Sequence, residues 1–180
     1  TLHSLEGSAT LEPVECVVVD NRPVLVLERF RGTCLQDVRP LEPAPFLRLA
    51  LRLAEALDSL HLRGYVHQRL TPETILVNSD HTRVCLINLD QASRSPSLPS
   101  DQSFRASLSF IAPEQTGRVD KAVDFRTDLY ALGGIFYQLL TGRPPYREED
   151  QAALIHAQIA RLPVPPDQVA PEVPTTVSQL

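Results

Sequence analysis

Two stretches of this chain carry apolar residues at the three- and four-residue spacing that lines them along one side of a helix. The first is Phe46, Leu47, Ala50, Leu53, Ala54, Leu57 and Leu60, ended by Gly64. The second is Leu129, Leu132, Ile135, Phe136 and Leu139, stopped by Gly142 and the pair Pro144-Pro145. A helix face of this kind is stable only when another element covers it, so the chain is constrained to build a largely helical core. A further helix is expected from Glu148 to Ala160.

Strand signals accompany the helices. Residues 14–19 and 24–28 are β-branched apolar runs separated by Asp20-Asn21-Arg22-Pro23, a strand-turn-strand pattern. Two shorter strands, Ile75 to Val77 and Val84 to Ile87, flank the polar turn Asn78-Ser79-Asp80-His81. This places residues 67–74 on the preceding loop. The expected class is α+β. Residues 163–174 include Pro163, Pro165, Pro166, Pro171 and Pro174 and are expected to run extended across the surface.

With 180 residues, 43% of them hydrophobic, the chain has material for one core and hardly two. A net charge of -5 argues against general nucleic-acid binding, which needs clustered positive charge. The longest apolar runs, such as Cys16 to Val19, fall far short of the ~20 residues that span a bilayer, and no leader pattern opens the chain. A cytoplasmic setting is the expectation. Cys16, Cys34 and Cys85 form no close-spaced pair, so they are read as reduced, packed thiols rather than a disulfide framework or zinc site.

Residues 67–77 read His-Gln-Arg-Leu-Thr-Pro-Glu-Thr-Ile-Leu-Val. Around this loop stand Leu25-Val26-Leu27-Glu28 with Gly32, Leu-His-Leu-Arg-Gly-Tyr-Val-His at 60–67, and Val84-Cys85-Leu86-Ile87-Asn88-Leu89-Asp90. Downstream come Ala112-Pro113-Glu114, Arg126-Thr127-Asp128-Leu129-Tyr130-Ala131-Leu132-Gly133, and Thr141-Gly142-Arg143-Pro144-Pro145-Tyr146. In this order and spacing the segments resemble the protein kinase family from about Val24 to Leu180. The resemblance implies a protein-kinase-like fold: a mostly helical C-lobe over residues 32–180, incomplete at its C-terminal end, and a remnant of N-lobe strands and hinge over residues 1–31. Pro-Glu-Gln-Thr-Gly-Arg at 113–118 and Arg-Leu-Pro-Val-Pro-Pro at 161–166 are similar to the serine/threonine-kinase-like domains that open large bacterial proteins carrying an ATPase module, GAF domains and a sensor histidine kinase.

The residues that the resemblance assigns to chemistry are replaced. Phosphoryl transfer to a hydroxyl uses a carboxylate that accepts its proton. Arg69 stands at that position, and a guanidinium, with a pKa above about 12, has no acceptor to offer. Glu73, the nearest carboxylate in sequence, belongs to the family's structural Pro-Glu pair. Mg2+ against ATP phosphates is anchored by carboxylate oxygens. Asn88 stands where the family has that aspartate, Thr74 replaces the asparagine of the second metal position, and Thr71 replaces the lysine near the transferred phosphate. Asp90 lies two residues past Asn88 and is read first as a turn residue, with metal or nucleotide binding as the alternative. No metal site is expected. Lys121 is the chain's only lysine, and its glycines form no G-x-G-x-x-G spacing. The hinge Glu28, Arg29, Phe30 and Arg31 retains backbone for an adenine, so ATP and Mg2+ binding is expected to be weak or absent.

Architecture is the part retained. By resemblance, His67 packs the loop onto the core, Asp128 accepts its backbone N–H groups, Glu114 is the partner of an arginine beyond Leu180, and Leu89 replaces a spine phenylalanine. Ser107 keeps the hydroxyl of the substrate-facing threonine, with Ala106 in place of glycine before it. Residues 93–105 are rich in serine and proline, either a surface loop or a phosphorylation segment whose charge meets Arg69, Arg94 or Arg105. Arg69 itself has the donors to hold an anion. Three functions stay open. The first is a pseudokinase that regulates or docks within a larger signalling protein, with protein partners or adjacent domains. The second is an active serine/threonine kinase using Asp90 and Glu73. The third is a truncated or decayed fragment.

Overall fold

A computed structural model describes residues 10–11, 13–94 and 108–179. The core forms where helix α1, Pro43–His61, packs against helix α2, Phe125–Thr141. Pro43 and Pro45 open α1, where a missing N–H costs nothing. Its buried face is Phe46, Leu49, Ala50, Leu53, Ala56, Leu57 and Leu60, whereas Leu47 and Ala54, expected on the stripe, face solvent. The stripe is rotated towards Leu49 and Ala56 because α2 and the small sheet cover that side. Asp124 caps α2 by accepting from Arg126 N, and Gly142 ends it in the left-handed region at φ 74°. Phe46 and Phe136 meet edge to face, ring centroids 5.5 Å apart.

Strands β1, Pro13–Val19, and β2, Arg22–Leu27, form an antiparallel hairpin. Its turn is tighter than the four residues expected. Asp20 and Asn21 alone make it, at φ 49° and 61°, and Arg22 and Pro23 already belong to the strand. Val18 and Leu25 on one side and Val19, Val24 and Val26 on the other are exposed. Strand β3, Thr33–Cys34, joins β5, Ile75–Val77, which pairs with β6, Val84–Leu86. Ile87, expected in the last strand, instead turns its N–H to Thr74 O at 2.9 Å. Strand β4, Tyr65–Val66, pairs with β7, Ser93–Arg94, and Arg94 lies over the Tyr65 ring at 5.6 Å.

Helix α3, Gln151–Ala160, is capped by Asp150, whose carboxylate accepts from Ala153 N at 2.8 Å. The proline-rich segment departs from the extended run expected of it. Pro166 opens the short helix α4, Pro166–Val169, and Pro174 precedes a second, α5, Thr175–Ser178. Proline fits a first helical turn, and burial of Ala170, Val173 and Val177 in the core draws the segment inward. The cysteines also divide. Cys85 is buried and Cys34 donates to Pro72 O at 3.2 Å, but Cys16, expected to be packed, is exposed on the hairpin. Among the described residues no helix is long and apolar enough to cross a membrane.

Candidate functional site

Residues 67–74 join β4 to β5, and the shape of that loop is set by one buried carboxylate. Asp128, 1% exposed in the first turn of α2, accepts from His67 N at 2.7 Å, from Gln68 N at 2.9 Å, and meets His61 Nε2 at 2.9 Å. A charge this deep is tolerated because each oxygen is met by a donor. The two backbone donors hold Gln68 in the left-handed region, φ 64°. His67 is fully buried, and burial pulls its pKa below 6.5 against the opposing pull of Asp128. Its Nε2 faces Ile87 O at 3.1 Å and its Nδ1 accepts from Arg69 N at 3.3 Å. Those two partners assign the neutral ring with its proton on Nε2.

The two threonines are turned into the loop. Thr74 Oγ1 accepts from Thr71 N at 3.0 Å and lies 3.2 Å from Arg69 O and 3.0 Å from Thr71 O. Both residues are buried, so Thr74 closes the 3-10 turn Pro72–Thr74 rather than facing the open side of the loop. Glu73 is exposed on that turn.

Arg69 points the other way. Its side chain is 43% exposed, and Nη1 lies 3.8 Å from Asp90 Oδ2, on a side chain 56% exposed. That separation is an ion pair without a hydrogen bond. Asp90 sits on the turn Leu89–Gln91, where Gln91 Nε2 donates to its Oδ2 at 3.0 Å. Asn88 opens this turn in the left-handed region, φ 60°, a conformation asparagine tolerates, and is exposed. Leu89 packs against the core. Among the described residues no group of three or more His, Cys, Asp or Glu is placed to hold a metal ion.

Three contacts around the loop were not anticipated from sequence. Gln115, buried behind Pro113-Glu114, accepts from Ala112 N at 3.1 Å and donates to Gln68 O at 2.6 Å. Gln68 Nε2 in turn donates to Ser93 Oγ. His61, at the end of α1, is the third group on Asp128. The available signal was Asp128 itself, since a carboxylate inside an apolar helix pattern demands donors from elsewhere. Glu114, assigned by resemblance to an arginine beyond Leu180, accepts from the hydroxyl of Thr127 in α2 at 2.6 Å.

In the expected hinge, Glu28, Arg29 and Arg31 are exposed and Phe30 is half-buried beneath Arg83, 5.9 Å from the ring centre. Gly32 follows because nothing larger fits. A Cβ there would lie 2.1 Å from Val77 O. The serine-rich residues 95–105, with Ala106 and Ser107, lie outside the described residues.

A protein-family model described as the protein kinase domain matches residues 2–179. The chain is similar to the serine/threonine-protein kinase Pkn1 of Myxococcus xanthus, 34% identical over 160 residues, covering 84% of this chain and 23% of that protein. It is similar also to the serine/threonine-protein kinase PknD of Mycobacterium tuberculosis, 33% identical over 149 residues, covering 81% of this chain and 22% of the relative. A probable serine/threonine-protein kinase of Corynebacterium efficiens is 26% identical over 163 residues, 87% of this chain and 24% of its own length. The chain thus spans about a quarter of the length of these relatives. The segment order, the loop anchored on the aspartate of α2 and the match over nearly the whole length lead to one conclusion: this chain belongs to the protein kinase family.

Proposed function

We propose that this chain is a pseudokinase, a regulatory or docking module of a larger signalling protein that acts through contacts with protein partners or adjacent domains and does not transfer phosphate. Arg69 carries the reading. By family resemblance it occupies the position of the proton-accepting carboxylate, and it directs a guanidinium, which cannot accept a proton, towards Asp90. Asn88 and Thr74 agree, the one uncharged and the other committed to the loop's own hydrogen bonds. ATP and Mg2+ therefore bind weakly or not at all, and adenine contacts are limited to the backbone at Glu28, Arg29, Phe30 and Arg31. The setting is cytoplasmic, and the module is of the kind joined to ATPase, GAF and histidine-kinase units. Incubating the whole protein with γ-labelled ATP, Mg2+ and protein acceptors tests this. No label is expected in the protein or the acceptors.

The exposure of both Asp90 and Glu73 leaves a second reading, a working serine/threonine kinase whose metal is held by Asp90 and whose base is Glu73. The named activities of the relatives favour it as well. Label transfer that Asp90→Ala abolishes would establish this reading and end the first.

A further inference from the structure

The loop that holds Arg69 is hydrogen-bonded at that residue's backbone, while its side chain is partly exposed. Arg69 N donates to His67 Nδ1 and Arg69 O lies 3.2 Å from Thr74 Oγ1, so the backbone is fixed on both sides. Among the described residues the Arg69 guanidinium forms an ion pair with the carboxylate of Asp90. At 3.8 Å and with both side chains about half exposed, the pair is loose, and exposed pairs of this kind are worth little. A planar fork of donors held on a fixed loop and facing a weakly held carboxylate is a receptor for an oxyanion with its place partly taken.

The neighbouring positions decide what kind of oxyanion. A phosphate that arrives with a divalent cation needs hard anionic oxygens from the protein. Asn88 supplies no charge, and the hydroxyl of Thr74 is already committed. Among the described residues Asp90 is the carboxylate paired with Arg69, and neither it nor Glu73 belongs to a group of three or more His, Cys, Asp or Glu placed to hold a metal ion. The charge on the open side of the loop thus favours a bare anion over a metal complex.

We infer that Arg69 is the receptor of a metal-free phosphate-type oxyanion site, in which Asp90 is a tethered occupant that the ligand displaces. The inference rests on the non-transferring reading above and gives its site a ligand class. The phosphate belongs either to a nucleotide tail or to a phosphorylated side chain.

Titration calorimetry of the whole protein at low ionic strength, with tripolyphosphate in EDTA as the probe, tests the site. Wild type binds, Arg69→Gln weakens binding at least about tenfold, and Asp90→Asn strengthens it about two- to fivefold by removing the competitor. Added Mg2+ weakens binding by sequestering the probe. ATP and O-phosphoserine, run separately, distinguish the two sources. No binding by wild type, an affinity that requires Mg2+, an Arg69→Gln protein that binds as wild type does, or an Asp90→Asn protein that binds more weakly each overturns the inference. Asp90→Asn keeps the test valid should Arg69→Gln fold poorly. Phosphoryl transfer, measured independently, would remove the non-transferring reading and leaves these binding outcomes to be judged on their own.

Discussion

Replacing Asp128 with asparagine changes little in shape and much in hydrogen bonding. Oδ2 serves His67 N and His61 Nε2, while Oδ1 serves Gln68 N. An amide has one acceptor oxygen, so at best it keeps two of these donors and sets its own NH2 against the third. A buried N–H left unpaired costs about 1–3 kcal/mol, and the two bonds retained lose the part due to charge. Asparagine is easier to bury than an ionised carboxylate, which offsets part of the loss. The net is a destabilisation of about 2–4 kcal/mol. In a chain of this size each kcal/mol lowers Tm by roughly 2–4 °C, so the drop should fall between about 4 and 16 °C. Asp128→Ala, which abandons all three donors, should cost more. His61→Ala should cost only about 1 kcal/mol, because that donor reaches the solvent edge, its side chain being 14% exposed. Urea unfolding followed by circular dichroism, with the slope m unchanged, measures all three. An Asp128→Asn protein within 0.5 kcal/mol of wild type would refute the claim that this carboxylate shapes the loop, as would an inverted order of the series.

Acid should weaken the fold through His67. Its folded pKa lies below 6.5, so the unfolded chain binds the extra proton first, and stability is full above that pH and falls as pH drops below it. The slope reaches at most about 1.4 kcal/mol per pH unit, and His67→Asn should flatten it in urea titrations between pH 7 and pH 5. An unchanged slope would show that the ring is not held neutral. Gly32→Ala places a Cβ against Val77 O and should destabilise by about 2 kcal/mol or more, because backbone has to move; equal midpoints in urea would contradict that close approach. The thiols should separate in rate. Cys85, buried and pushed up to about 11, should resist an aromatic disulfide reagent until unfolding, while Cys16 on the exposed hairpin reacts at once. Rapid labelling of Cys85 in the folded protein would argue against its burial.

The long elements were legible because a helical stripe and a β-branched run are each written in local residues. The phase of α1 was not, since Leu47 and Leu49 are equally apolar and only the position of α2 decides which of them is covered. Strands β3, β4 and β7 span two residues each and carry no period to read; they exist because their partners lie alongside. The prolines misled in one place. Proline favours an extended chain and equally opens a helix, and burial of Val173 and Val177 selected the second. At the loop, the identities at positions 69, 71, 74 and 88 were plain in the sequence. Which of them face inward was not, nor was the bond from Gln115 to Gln68 O, which joins residues 47 apart.

That division between inward and outward side chains bears on how such a frame can vary. The groups that determine the loop's course, His67, Thr74, Gln115 and Asp128, are buried, and substitution at any of them is filtered by folding before function is ever assayed. Arg69 and Asp90 sit outside that filter, exposed and loosely paired. Asn88 lies between, since its left-handed backbone admits asparagine, aspartate and glycine more readily than a branched side chain. A saturation library confined to positions 69, 88 and 90 would therefore consist mostly of folded proteins, and a selection applied to it would report on ligand chemistry alone.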